Sequence, residues 1–255
     1  MAGSTSSEHG RLIRKMETIA VLTEPEKAAL ADLPMRLKDF AEDTDLVREG
    51  DTPQECCLIL EGFICRYKLL ADGTRQIMAW LLPGDACDLN VFGLGALDHS
   101  IATLSASTIA FIPNAALERL SAGSVAIMRA LWWATLVDEG ILREWLMNMG
   151  RRPADRRIAH LFCELAARLE AVGLAHDHTM ELPITQAELA DTVGLTSVHV
   201  NRIIQQLRDQ GLIVWRGRVL TIARPAALKA FAEFDPTYLH LPARKAVAAS
   251  LPEAI

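Results

Sequence analysis

A chain of 255 residues, 51% hydrophobic and 23% charged, can bury a sizeable core in one large domain or two ordinary ones. No apolar stretch reaches the roughly 18 residues of a membrane span, and the N-terminus has no apolar run before a small-residue cleavage site, so a cytoplasmic protein is expected. The net charge of −6 argues at first against nucleic acid, but residues 1–150 carry −8 and residues 151–224 carry +2, with ten arginines and no lysine. An acidic half joined to a mildly basic half suits a protein with one end against phosphate.

Along the chain, Leu12, Met16, Ile19, Leu30 and Leu33 recur at helical spacing, which predicts a helix over 11–33. From about 40 to 112 the pattern shortens. Phe63, Cys65, Tyr67 and Leu69 alternate with Ile64, Arg66, Lys68 and Leu70, the period of a half-buried strand. Asp72-Gly73 marks a tight hairpin back into Gln76–Leu82, and further turns fall at Glu49-Gly50-Asp51, Glu61-Gly62 and Pro83-Gly84-Asp85. Turns at this spacing predict a small antiparallel roll or barrel. Cys56, Cys57, Cys65, Cys87 and Cys163 are odd in number and form no CxxC pair, so they read as small buried hydrophobes, with a redox-active thiol as the alternative.

Residues 121–150 read as one long helix. Ile127, Leu131, Ala134, Ile141 and Trp145 form a near-heptad seam, with Asp138 on it and Trp132, Leu136 and Met147 off it. A helix apolar on more than one face must be covered on more than one face. One face is expected on the roll, and the seam is assigned to pairing with a second chain. Gly150-Arg-Arg-Pro153 reads as a hinge, followed by a helix to about Val172 and a polar loop over 173–181. His176 and His178 in that loop lack a nearby third ligand, so no metal site is expected.

Residues 183–222 carry the functional signal. Thr185 and Glu188 form an S/T-x-x-E capping box, Gly194 supplies a turn, and Thr196 caps a second helix that Gly211 stops. Two short helices joined by a glycine turn are a helix-turn-helix. Val200, Ile203 or Ile204, and Leu207 must face the core. That leaves Ser197, Val198, His199, Asn201, Arg202 and Gln205 to solvent or a groove, with Gln186 at the start of the first helix. Arginine suits guanine, asparagine adenine, valine a thymine methyl, and Thr196 and Ser197 suit phosphate. Residues 212–222 then form a hairpin whose tip carries Arg216 and Arg218, a wing placed beside the groove.

The stretch ITQAELADTVGLTSVHVNRIIQQLRDQGLI resembles the DNA-binding signature of the Crp/Fnr family of bacterial regulators. LVREGD, LILEGF, ADGTRQI and PGD upstream resemble its cyclic-nucleotide-binding-like β-roll, so the likeness covers about residues 36–225. The resemblance implies an α+β chain: an N-terminal antiparallel β-roll of double-stranded β-helix or jelly-roll type, a long dimerisation helix, and a C-terminal winged helix-turn-helix. Its expected segments are a helical segment at 1–35, an effector-binding roll at 36–120, the dimerisation helix at 121–150, the DNA-binding domain at 151–225 and a tail at 226–255. It further implies a homodimer on a near-palindromic operator in double-stranded DNA, an effector that reorients the winged helices, and contact with RNA polymerase in an activator.

Arg202 matches the family arginine that reads guanine. Val198 stands where many members carry glutamate, and Asn201 where serine or glycine is usual, so a different half-site is expected. In the roll, the glycine-glutamate and arginine-serine of cyclic-AMP binders are replaced by Pro83–Leu89, with Asp88, and by Asp98-His99-Ser100-Ile101. A neutral imidazole is a poor phosphate holder beside a guanidinium fork. Asp88, His99 and Ser100 are the candidate effector residues, for an effector other than cyclic AMP. Iron–sulfur members need clustered cysteines near the N-terminus, and none precedes Cys56; His99 and Cys87 are the candidate haem ligands. The remaining alternatives are a ligand-independent regulator with a structural roll and, remotely, a cupin-like enzyme. Strand histidines for the latter are missing, and no catalytic residues are assigned.

Overall fold

The computed structural model describes residues 8–17, 19–87 and 95–241. The predicted first helix is two: α1 (Glu8–Glu17) and α2 (Glu24–Ala31). Thr23 breaks them apart. Its hydroxyl and backbone amide both donate to Glu26, and the proline after Glu24 suits a helix start.

Two four-stranded antiparallel sheets face each other as the roll. One orders β1 (Arg36–Phe40), β8 (Ser107–Pro113), β3 (Glu55–Glu61) and β6 (Ala86–Cys87); the other orders β2 (Asp45–Val47), β7 (Ser100–Thr103), β4 (Ile64–Leu69) and β5 (Arg75–Leu81). Between them lie Cys57, Ile59, Ile64, Leu81, Cys87, Ile101 and Ile109. The β4–β5 hairpin turns where predicted, with Gly73 at φ 85°. The Phe63–Tyr67 alternation is present, but its apolar set points out of the roll. Phe63, Cys65 and Tyr67 pack under the C-terminal helices, while Ile64 fills the roll interior. That second sheet is therefore covered on both faces.

The long helix begins later than predicted, because α3 (Asn114–Gly123) ends and Ser124 caps α4 (Val125–Arg151) by accepting from the Ile127 amide at 3.1 Å. The predicted dimer seam is turned inward. Ile127 and Leu131 pack with Leu58, Ala110 and Ile112 on the first sheet; Ile141 and Trp145 pack with the helices that follow; Ala134 is half-buried. Asp138 explains itself on this face by pairing with Arg66 of β4 at 3.0 Å. The exposed stripe is the other one: Val125, Met128, Trp132, Leu142 and Leu146. These lie one residue on from the predicted seam phase, about 100° round the helix.

Beyond the hinge run α5 (Ala154–Ala171), β9 (Ala175–His176), β10 (Thr179–Glu181), α6 (Gln186–Val193), α7 (Ser197–Asp209), β11 (Ile213–Arg216) and β12 (Val219–Ile222). The predicted polar loop 173–181 is thus largely a hairpin, which extends the wing into a four-stranded sheet ordered β11-β12-β10-β9. Its turn residues Asp177 and His178 take positive φ, and His178 Nδ1 lies 3.0 Å from Glu170. The tail folds back as α8 (Pro225–Ala232) and a tight 3-10 turn over Pro236–Leu239. All five cysteines are buried, and none forms a disulfide. Burial pushes the Cys65 and Cys163 thiols up to about 12, which leaves them unreactive.

A buried polar network ties these layers together. Arg168 of α5 donates to the Trp80 carbonyl at 2.7 Å and to Asp85 at 2.9 Å; Lys15 of α1 reaches Asp85 at 2.9 Å. Burial alone would raise the Asp85 carboxyl, but Lys15 and Arg168 outweigh it and hold it well below its usual range. Glu164 receives Tyr238 Oη at 2.7 Å, Trp145 Nε1 and Arg168. Its burial still outweighs these donors and raises its carboxyl.

Candidate nucleic-acid interface

The helix-turn-helix is built by the local signals its sequence carries. The Thr185 hydroxyl accepts from the Glu188 amide at 3.1 Å, and Glu188 accepts from the Thr185 amide at 2.6 Å. Gly194 ends α6 in the left-handed region at φ 63°, and a Cβ there would meet the Met149 methyl at 2.6 Å. Thr196 then caps α7 by accepting from the His199 amide at 3.3 Å. Val200, Ile203, Ile204 and Leu207 are all buried, so both candidate isoleucines face the core.

The opposite face presents Ser197, Val198, Asn201 and Arg202 to solvent, with Gln186 and Thr196 beside them and His199 half-buried at the edge. Val198 is 82% exposed, an apolar side chain with no protein partner for its surface. Asn201 Nδ2 donates to Gln186 Oε1 at 3.0 Å, which joins the starts of the two helices. Arg216 and Arg218 flank Gly217 on the wing and are exposed. Arg218 also reaches Glu42 of the β1–β2 loop at 3.6 Å, a contact between exposed groups that water and salt screen.

The helix-turn-helix is docked on the roll. Trp80 Nε1 donates to Thr192 Oγ1 at 2.9 Å, Gln76 Nε2 to the Thr192 carbonyl at 3.3 Å, and Arg75 pairs with Asp191 at 2.7 Å. Arg157 closes the hinge by donating to the carbonyls of Met149, Arg152 and Val193. Sequence reasoning missed these residues because the pairings of Arg75, Gln76 and Trp80 join positions more than a hundred residues apart. The exposed stripe of α4 was within reach, since Val125, Met128, Trp132, Leu142 and Leu146 also hold heptad phase.

Of the candidate effector residues, Asp88 lies outside the described residues. Ser100 is buried, with its hydroxyl accepting from the Glu49 amide at 3.0 Å. His99 Nδ1 lies 2.8 Å from Asp98, and the Cys87 side chain is part of the roll interior. Among the described residues no group of three or more His, Cys, Asp or Glu could hold a metal ion. No described helix is long and apolar enough to cross a membrane.

Residues 37–124 match the cyclic nucleotide-binding domain and residues 156–231 the Crp-like helix-turn-helix domain. The nitrogen fixation regulation protein FixK of Bradyrhizobium diazoefficiens is 28% identical over 85% of this chain and 91% of its own. The transcriptional activator protein FnrL of Cereibacter sphaeroides is 24% identical over 76% of this chain and 79% of its own. The solved structure of FixK2 from Bradyrhizobium japonicum superposes with a TM-score of 0.72 at 26% identity, covering 78% of this chain and 98% of that one. A roll, a long helix and a winged helix-turn-helix in this order define a DNA-binding transcription regulator rather than an enzyme. The chain belongs to the Crp/Fnr family.

Proposed function

We propose that the protein binds a near-palindromic operator as a homodimer, with α7 in the major groove and the wing on the flanking backbone. The observation that carries this is the exposed N-terminal half of α7, where Ser197, Val198, Asn201 and Arg202 share one face above a buried Val200–Leu207 stripe. Arg202 is the guanine reader. Thr196, Ser197 and His199 face phosphate or the groove edge, and Arg216 and Arg218 neutralise the backbone. Val198 cannot accept from cytosine and favours a thymine methyl. The exposed apolar stripe of α4 pairs with its copy, which sets the two α7 helices about one helical turn of DNA apart. The working compartment is the cytoplasm, and an activating operator would also bring RNA polymerase into contact.

Replacing Arg202 with Ala costs about 1–3 kcal/mol of operator binding and relaxes one base position per half-site. Footprinting and competition binding measure both; unchanged affinity and specificity would refute the assignment.

The family likeness supports a regulator that responds to an effector through the roll; one observation supports a second, ligand-independent reading. The space between the sheets is filled by Ile59, Ile64, Leu81, Ile101 and Ile109, and Ser100 is already engaged by backbone. A metabolite other than cyclic AMP that raises the melting temperature by mass action would exclude the second reading and identify the effector.

A further inference from the structure

We propose that Gln186 is the positioning residue for Asn201, holding its amide so that Asn201 reads an adenine in each half-site; this rests on the placement of α7 in the major groove. The two side chains come from different helices. Gln186 is the first residue of α6, and Asn201 lies one turn into α7. Their bond, Asn201 Nδ2 to Gln186 Oε1 at 3.0 Å, crosses the turn that Gly194 makes.

The chemistry follows from what that bond uses up. An asparagine amide has two protons and one carbonyl. Gln186 takes one proton, which leaves one N–H and Oδ1. That is the donor and acceptor pair that adenine N7 and N6 require. The terminal torsion of a free asparagine is broad and roughly two-fold, and a flip exchanges donor for acceptor. In this structure Gln186 turns its Oε1 toward Asn201, and that bond holds Asn201 with its nitrogen toward Gln186 and its oxygen away. Among the described residues, the other exposed side chains at the start of α7, Ser197, Val198 and Arg202, have no hydrogen bond or ion pair holding them. Asn201 is the one reader fixed before DNA arrives, and it loses correspondingly little rotamer freedom on binding.

The test is selection from a pool of double-stranded DNA randomised across one half-site, using the full chain and single variants. Asn201→Ala should lose a roughly tenfold or greater adenine preference at one position. Gln186→Ala should lose it at that same position and leave the rest of the profile standing. Gln186→Glu, unlike glutamine, offers only acceptors to Asn201. It should keep the adenine preference while its charge weakens binding to every sequence alike. Full adenine preference in Asn201→Ala or Gln186→Ala, or its loss in Gln186→Glu, overturns the proposal. Arg202→Ala in the same pool separates the two levels. A profile that changes at Arg202 but not at Gln186 removes the positioning role alone, whereas no change at either removes α7 from the groove.

Discussion

His160 sits fully buried on α5, where Asn148 Nδ2 donates to its Nδ1 at 3.1 Å and Phe234 and Tyr238 stack around the ring. Glu144 Oε1 is 3.2 Å from Nε2 but outside hydrogen-bond geometry, and its charge is engaged by Arg152 at 2.7 Å. Burial, then Arg152, therefore lower the imidazole from its usual value to about 3. The ring is neutral when folded and takes a proton on unfolding below about pH 6.5. Its contribution is fully present above that value and is lost as pH falls toward 3, at up to about 1.4 kcal/mol per pH unit. Asp85, with its lowered carboxyl, adds a loss only as pH falls below the ordinary carboxylate range, so it does not contribute to the slope above pH 5. Glu164, whose carboxyl is raised, acts with the opposite sign over part of this range, so the comparison is what counts: between pH 7 and 5 stability in urea should fall more steeply toward acid in the unsubstituted protein than in His160→Gln. Equal slopes would remove His160 as a source of that fall. At this scale the sequence was legible where chemistry is local. Thr185, Glu188, Gly194 and Thr196 were readable because capping and turns depend on neighbours three or four residues away. His160 was not, since nothing in its own segment says that Phe234 and Tyr238 return to cover it.

Helix α4 shows how phase, rather than existence, escapes a sequence. Two stripes on this helix hold apolar heptad spacing. One carries Asp138, which reads as a flaw until Arg66 of β4 is found opposite it. The inward stripe meets both the roll and α5, leaving Val125, Met128, Trp132, Leu142 and Leu146 outward, with Thr135 and Glu139 at the two positions between. These are the side chains that a partner copy would cover. Trp132 and Leu146 are 64% and 73% exposed and stand two heptads apart, about 21 Å along the axis. A charge at either place would be buried unpaired on pairing. Trp132→Glu with Leu146→Asp should therefore sediment at the single-chain mass of 28.0 kDa and bind a full operator much more weakly, with its circular dichroism unchanged. A double variant that still sediments at twice that mass would place the partner elsewhere. The tail is a second element whose role only packing reveals. Tyr238 donates to Glu164, and the Trp133 and His240 rings meet edge-on with centroids 5.4 Å apart. The segment braces α4 against α5 across the hinge.

At the scale of the whole molecule, the order of roll, long helix and winged helices was readable from turn spacing, periodicity and caps. The seam between roll and DNA-binding domain was not. Phe63, Cys65, Tyr67, Ile77, Trp80 and Leu82 from the roll share one cluster with Phe162, Leu165, Leu189 and Val193 from the helices. From sequence the alternation of β4 fits a strand with one wet face equally well. That shared cluster has a calorimetric meaning. Separating the DNA-binding domain from β5 would bring these side chains into water, and exposing apolar surface carries a positive heat-capacity change. Operator binding that leaves the seam closed has the negative heat-capacity change of the DNA contact alone. Binding that first swings the domain away carries the opposing contribution of an opened core as well.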